Sequence, residues 1–391
     1  MFRALLAAGH TPLTSLVASC GGVTAQRFSR RWLLVAAGAA GLVGAGVVAL
    51  PAGAVTAEPD ALRARILAGP PPHVGYAESS GRLGLPEIPQ LESVTALLTG
   101  TTRIRAFVSG ADSWRADELT PAGERDTYHL GGAEYVWDFG SDELTRVVGT
   151  TPLRLPRAAD LLPPQLAQRL FRLAPADPVS PLPARRVAGR TAAGLRLVPA
   201  DPATTVGGVD VWADPTTGLV LRVEVSPRAG PPLLVTEFVD VTDGPPDPAA
   251  LVPPVPPGAG AVTASAADLS GALRTLDAPP PPDRLAGRDR VPLAGTPDAQ
   301  LPGVGLYGSG LAGFALVPLS QEIAGRAVDG AAAAGGTSVE VPGGARAVRL
   351  ATPLVTVAVR ARRRSGVLLM GTVGPEVLDQ ALRELPQRRR T

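Results

Sequence analysis

The chain contains no lysine and no asparagine, and a single cysteine, Cys20. A lone cysteine excludes an intrachain disulfide and any cysteine-based zinc site. The three histidines, His10, His73 and His129, are too scattered to suggest a ligand cluster, so neither a metal nor a cofactor is expected. Aromatic residues make up only 4% of the chain, and its core must therefore be built mostly from Leu, Val and Ala. All 37 basic residues are arginine, against 35 acidic ones, and a net charge of +2 leaves no nucleic-acid footprint. The short clusters Arg362–Arg364 and Arg388–Arg390 read as solvated tails or strand ends. No G-x-S-x-G elbow, HExxH or P-loop occurs, and nothing assembles into a nucleophile–base–orienter set, which points away from an enzyme.

What the chain does have begins near its N-terminus. Trp32–Leu50 is an uncharged apolar run, and nineteen helical residues span about 28 Å, enough to cross a bilayer core. Arg27, Arg30 and Arg31 precede it and no base follows until Arg63, so the positive-inside rule places residues 1–31 in the cytoplasm and the bulk of the chain outside. Residues 32–50 are expected to be a single transmembrane segment or an export signal. Small residues around Ala54 and Ala57 would suit signal cleavage, and Ser29–Leu34 is similar to a twin-arginine signal. Val17–Cys20 has the letters of a lipobox, but His10, Thr11 and Pro12 spoil the hydrophobic region before it.

Beyond the apolar run, Pro59–Ala68 has Leu62 and Ile66 four apart, a short helix stopped by Pro70–Pro72. Strand-like runs follow at Thr102–Ser109, Ser113–Leu119, Asp126–Leu130, Glu134–Phe139 and Leu144–Val148, divided by turn residues such as Gly110-Ala111-Asp112. Such spacing suits antiparallel pairing of neighbours. Asp160–Ala174 interrupts them with Leu162, Leu166, Leu170 and Phe171 at helical spacing. Strands resume at Gly194–Val198, Val206–Ala213, Gly218–Ser226 and Leu233–Val241. The chain then passes through proline-rich stretches at Pro245–Pro257 and Pro279–Pro282, the second readable as a stiff linker. A further region carries strand-like runs at Val304–Tyr307, Phe314–Val317, Ala347–Leu350, Leu354–Val359 and Gly366–Thr372, and a closing helix over Pro375–Leu385. The expected division is residues 58–263 as one domain, 264–290 as linker and 291–386 as a small C-terminal α+β domain.

The run Val211-Trp212-Ala213-Asp214-Pro215-Thr216-Thr217-Gly218-Leu219-Val220-Leu221-Arg222-Val223 resembles the signature of the LolA-like superfamily: a strand ending in Asp, a Thr-Gly-Leu turn, and a return carrying Arg. Tyr135–Asp138 with Leu144–Val147, and Ser113–Asp117, are similar to that family's earlier strands. Pro72–Tyr76, Gly84-Leu85-Pro86, and Val187–Arg190 leading into Leu195–Pro199 resemble its MucB/RseB-like branch. The resemblance implies an α+β fold, a curved antiparallel half-barrel whose concave hydrophobic side is plugged by helices, with a smaller C-terminal region.

The remaining motifs are weak. Gly303–Gly308 and Gly308–Gly313 both spell GxGxxG, but no strand–helix context surrounds them, so nucleotide binding is not expected. Asp117 and Glu118 read as strand-end surface charge, Glu124-Arg125-Asp126 as a turn charge cluster, and His73 as an exposed loop residue. Trp114, Trp137 and Trp212 lie on expected strands, where they could fill the core or line the concave pocket beneath the leucine-rich helix. The expected ligand-binding set is thus Leu162, Leu166, Leu170, Phe171, Trp114, Trp137 and Trp212. Two functions follow from the resemblance. The first is a non-catalytic extracytoplasmic protein binding lipid acyl chains or lipoproteins in that pocket. The second is an RseB-like regulator binding an anti-sigma factor or another membrane partner in envelope-stress signalling.

Overall fold

A computed structural model describes residues 57–84, 92–121, 123–148, 156–254, 259–265, 273–276, 278–292, 301–363 and 365–386. The apolar run Trp32–Leu50 and the cleavage-like residue Ala54 lie outside them. No described helix is long and apolar enough to cross a membrane.

Helix α1 (Pro59–Ala68) starts on Glu58, whose carboxylate accepts from the amides of Asp60 at 3.3 Å and Ala61 at 2.7 Å, and it buries Leu62 and Ile66. Strand β1 (His73–Gly81) and helix α2 (Glu92–Thr99) follow. Then come the expected meander strands, β2 (Thr101–Gly110), β3 (Ser113–Thr120), β4 (Gly123–Leu130), β5 (Ala133–Asp138) and β6 (Glu143–Val148). A 3-10 turn over Ala158–Leu161 leads into α3 (Pro163–Leu173), with Pro163 at its first position, where no amide is needed. Strands β7 (Val179–Val187), β8 (Arg190–Leu197), β9 (Val206–Ala213), β10 (Val220–Pro227) and β11 (Leu234–Asp243) form a second meander. A short turn over Pro248–Leu251 precedes β12 (Gly260–Ser265).

These twelve strands form one open, curved sheet in the order β12-β6-β5-β4-β3-β2-β1-β11-β10-β9-β8-β7, the half-barrel architecture expected from the LolA-like resemblance. Strand β1 joins the two meanders by pairing with both β2 and β11, and β12 runs parallel to β6 at the opposite edge. Strands β1 and β7 have no clear signal in the sequence. His73–Gly81 holds two glycines and two serines, and Val179–Val187 carries Pro181 and Pro183, which an edge strand tolerates because one side of its backbone is unpaired.

The LolA-like signature takes physical form at the β9–β10 turn. Asp214 Oδ1 accepts from the amides of Thr216 and Thr217 at 2.8 and 2.9 Å. Gly218 has φ +74° and approaches the backbone of Arg65 so closely that a Cβ would lie 2.7 Å from the Arg65 Cβ. The turn therefore docks on α1, and Arg65 donates to the Pro215 carbonyl at 3.0 Å.

The C-terminal region is a second, eight-stranded sheet, ordered β13-β14-β15-β16-β20-β19-β18-β17. Its strands are β13 (Arg284–Leu285), β14 (Arg288–Val291), β15 (Gly305–Tyr307), β16 (Phe314–Leu319), β17 (Thr337–Ser338), β18 (Arg346–Ala351), β19 (Thr356–Ala361) and β20 (Gly366–Gly371). Helices α4 (Gln321–Ala333) and α5 (Pro375–Glu384) cover opposite faces. Along β19, Val357 and Val359 pack with Val328 of α4, while Ala358 packs with Leu378 of α5, which is why the strand is buried on both sides. Helix α4 was missed in the sequence because its small residues leave only a weak apolar stripe. The glycine motif at 308–313 forms the β15–β16 turn and opens no helix.

The two sheets are joined by backbone-directed contacts. The Thr204 hydroxyl shares its one proton between the carbonyls of Leu311 at 2.5 Å and Thr372 at 2.8 Å, Thr205 Oγ1 donates to that of Leu354 at 2.5 Å, and one ion pair, Arg288 with Asp201 at 2.8 Å, adds to them.

Candidate functional site

The leucine-rich helix α3 lies on one face of the large sheet. Thr236 Oγ1 donates to the Leu161 carbonyl at 2.7 Å, so the face bearing Thr236 is the one the 3-10 turn and α3 cover. Strand register extends that face. Thr236 stands opposite Val223 and Ser79, Val223 opposite Val211, and Val211 opposite Leu195. On the other side of β1 the row continues through Ala77, Ile104, Ala106, Ala116 and Val108 to Trp114 and His129.

Helix α3 is fastened at several points. Gln168 Nε2 donates to the Ile66 carbonyl at 2.9 Å, tying it to α1. Arg63 donates to the Asp177 carbonyl at 2.9 Å and to that of Ala174, with its guanidinium 5.7 Å from the Phe171 ring. Before the helix, the Arg157 amide donates to Asp160 Oδ2 at 3.0 Å, while the Arg157 guanidinium pairs with Glu134 and stands 6.0 Å from the Trp114 ring. Trp114 stacks on His129 with ring centroids 5.6 Å apart.

Leu162, Leu166, Phe171 and Trp212 belong to one buried apolar cluster, with Leu170 and Trp114 packed at its margin. Within it, the leucines, Phe171 and Trp114 share the α3-covered side. Trp212 is on the opposite face: it stands opposite Arg222 and Gly194, its Nε1 donates to the Pro183 carbonyl at 3.1 Å, and the Arg185 guanidinium sits 5.1 Å from its ring. Trp137 also faces away from α3, directly opposite Asp126, and is fully buried outside the cluster. A period of two decides this, because a single step along a strand reverses the face.

His73 and the Asp117–Asp126 group differ from the sequence reading. His73 is wholly buried, with Nδ1 2.8 Å from the Pro71 carbonyl and the ring edge-on to Phe238, and burial pushes its pKa down. Asp117 and Asp126, expected at the surface, are completely buried on the sheet face opposite α3. Arg115 bridges them, donating from Nη2 to Asp117 Oδ2 at 3.0 Å and to Asp126 Oδ2 at 2.8 Å. Its guanidinium lies 5.2 Å from the Phe107 ring and 5.0 Å from the Tyr128 ring. Arg105 pairs with Asp117 at 3.2 Å and with Glu124, and Tyr128 donates to Asp126 at 3.1 Å. Carboxylate oxygens of Asp117, Glu124 and Asp126 lie within 4.8 Å of one another, but two guanidiniums already sit among them, a poor setting for a cation. The signal available in the sequence was the i, i+2 repeat Arg115/Asp117 and Glu124/Asp126/Tyr128 on two adjacent strands.

Three carboxylates around two arginines leave one carboxyl favouring its proton. Burial, and then the Asp117 charge, push Asp126 up to about 8. A group whose folded pKa is raised contributes stability below its unfolded value and loses it as pH rises through the folded value. Stability to urea should therefore decline from about pH 5 to pH 8, and Asp126→Asn should flatten that decline. Stability that rises across this window in the parent protein would contradict the assignment.

Residues 148–255, which supply α3 and β7–β11, match the family model of the MucB/RseB N-terminal domain. That segment is MucB/RseB-like. Among solved structures, it is similar to a chain of the Pseudomonas aeruginosa MucA/MucB complex, with 16% identity and a TM-score of 0.44, covering 82% of this chain and 94% of that one. It is also similar to MucB in complex with MucA(peri), with 15% identity and a TM-score of 0.45, covering 83% and 98%. A LolA superfamily protein from Nitrosomonas europaea aligns at 12% identity and a TM-score of 0.23, covering 51% of this chain and 99% of that one. No curated protein matches the chain in sequence. The MucB/RseB-like segment thus contains α3 and five of the seven expected site residues, namely Leu162, Leu166, Leu170, Phe171 and Trp212.

Proposed function

We propose that this chain is a non-catalytic, extracytoplasmic regulator of the RseB type that binds the extracytoplasmic segment of a membrane-anchored anti-sigma factor. The observation that carries the reading is the MucB/RseB match over residues 148–255. The geometry of α3 supports a protein partner over an acyl chain. Leu162, Leu166 and Phe171 are already committed to the core, and Thr236, Gln168 and Arg63 fasten the helix over them. An acyl chain entering beneath α3 would have to break these buried hydrogen bonds, each of which costs more to leave unmade than it contributes when formed. Residues 58–263 form the partner-binding unit in this reading; the segment 264–290 leads into the second sheet and already carries β13 and most of β14, and 291–386 completes that small domain. Trp32–Leu50 holds the chain at the membrane, or is removed near Ala54 or Ala57.

The test is crosslinking of the full chain in native membranes, purification, and mass spectrometry of the adducts. The expected adduct is a single-pass membrane protein with a cytoplasmic sigma-binding domain, joined to peptides from residues 148–255. Recovery of bound lipid alone, with no protein adduct, would return the acyl-binding reading to first place.

A further inference from the structure

The second sheet contains a feature that the regulatory reading does not use. On the face covered by α5, Pro318, Val367 and Arg360 form one row across β16, β20 and β19. The proline strap Pro279–Pro282 lies over the end of this row, beside Leu385 at the end of α5, and encloses a cavity of about 160 Å³. That volume is comparable to the roughly 150 Å³ engineered cavity that admits benzene, or a chain of about six carbons.

Among the described residues, the cavity walls are apolar apart from Arg360, Arg362 and Ser365, and no acidic side chain lines it. Arg360 is 3% exposed. It donates to the carbonyls of Leu382 at 3.0 Å and Leu385 at 3.3 Å, at the negative end of α5, and its Nε is buried without a hydrogen-bond partner. Among the described residues, no carboxylate pairs with Arg360 or Arg362. A buried guanidinium ordinarily has a carboxylate beside it, since burying the charge unpaired is costly. Burial, with Arg362 adding repulsion, pushes Arg360 down to about 10.

We infer that this cavity binds a small apolar monocarboxylate, its carboxylate received by Arg360 and Arg362 and its hydrocarbon part held between the proline strap, Leu316 and Val367. Guanidinium is suited to this role, because its planar fork meets a carboxylate with two parallel hydrogen bonds. The strap suits the other end of the ligand. Proline rings have little conformational freedom to lose, so the wall is formed before the ligand arrives.

The test uses the full chain in nanodiscs with two photoreactive probes, a diazirine-bearing hexanoic acid and the matching hexanol, and maps the labels by mass spectrometry. The acid should label peptides carrying Pro279–Pro282, Leu316–Leu319 or Gly366–Val367, in competition with hexanoate, and about tenfold more than the alcohol does. Arg362→Gln should bring the acid down towards the level of the alcohol, with an unchanged circular-dichroism spectrum. Leu319→Trp, which narrows the cavity from its half-buried wall, should lower labelling by both. Equal labelling by acid and alcohol would overturn the inference, as would labels elsewhere, no labelling, or indifference to Arg362→Gln or Leu319→Trp. None of these outcomes bears on whether a protein partner is captured by residues 148–255.

Discussion

Phe171→Ala is expected to lower the unfolding free energy by about 3–5 kcal/mol, read as a shift in the urea midpoint at constant slope. The ring is fully buried between α3 and the large sheet, under the Arg63 guanidinium, so truncation leaves a cavity that the fastened helix cannot collapse to fill. The neighbouring leucines separate the two readings of this helix. Leu166 is 8% exposed and Leu170 is only partly buried at the margin of the cluster. If α3 is a plug, Leu166→Ser should cost about 2–4 kcal/mol and Leu170→Ser about 1 kcal/mol or less, with no saturable binding of a fluorescent acyl ligand to the parent protein. Saturable acyl binding that Leu170→Ser weakens beyond its effect on melting temperature would show that the helix works as a lid.

Arg115→Met should be comparably severe, with about 3–5 kcal/mol lost near neutral pH. Arg115 is the shared partner of two fully buried carboxyl groups, and methionine would fill the volume while leaving the Asp117 charge with Arg105 alone and Asp126 without its guanidinium donor. The loss should shrink in acid, where both carboxyls can be neutral. A combined Arg115→Met, Asp117→Leu, Asp126→Leu variant should recover most of the stability, since well-packed apolar residues often replace a buried ionic group at no net cost. A single Arg115→Met variant with an unchanged urea midpoint would show that the cluster contributes nothing to folding.

Much of the large sheet was legible before any coordinates. Val206–Ala213 is a strand with the same ends in the sequence reading and in the structure, as is the helix Pro59–Ala68. Both are bounded by residues whose chemistry stops them: Asp214 folding its own turn in one case, Gly69 and the prolines in the other. The leucine spacing of α3 was equally plain, as was the final helix beginning at Pro375. These are local effects of periodicity, capping and turn chemistry, and the sequence carries them in a few adjacent letters.

Facing and long-range pairing were not legible. The sequence put Trp114, Trp137 and Trp212 on strands, but only register across the sheet places Trp114 on the side of α3 and the other two on the reverse. Asp117 and Asp126 look like surface charges because their cover, the turn Pro248–Leu251, arrives more than a hundred residues later and accepts a hydrogen bond from Arg115 at the Ala250 carbonyl. His73 reads as a loop residue until β11 closes on β1 and brings Phe238 against it. Arg360, one of many arginines in the sequence, becomes distinctive only when α5 and the proline strap bury it. The sequence by itself determined the local elements, the antiparallel meanders and the likeness to MucB/RseB, because each depends on contacts within a few residues. The tertiary structure alone decided which charges are buried, which aromatic rings share a face and where a cavity lies, because those depend on segments that meet only after the chain has closed on itself.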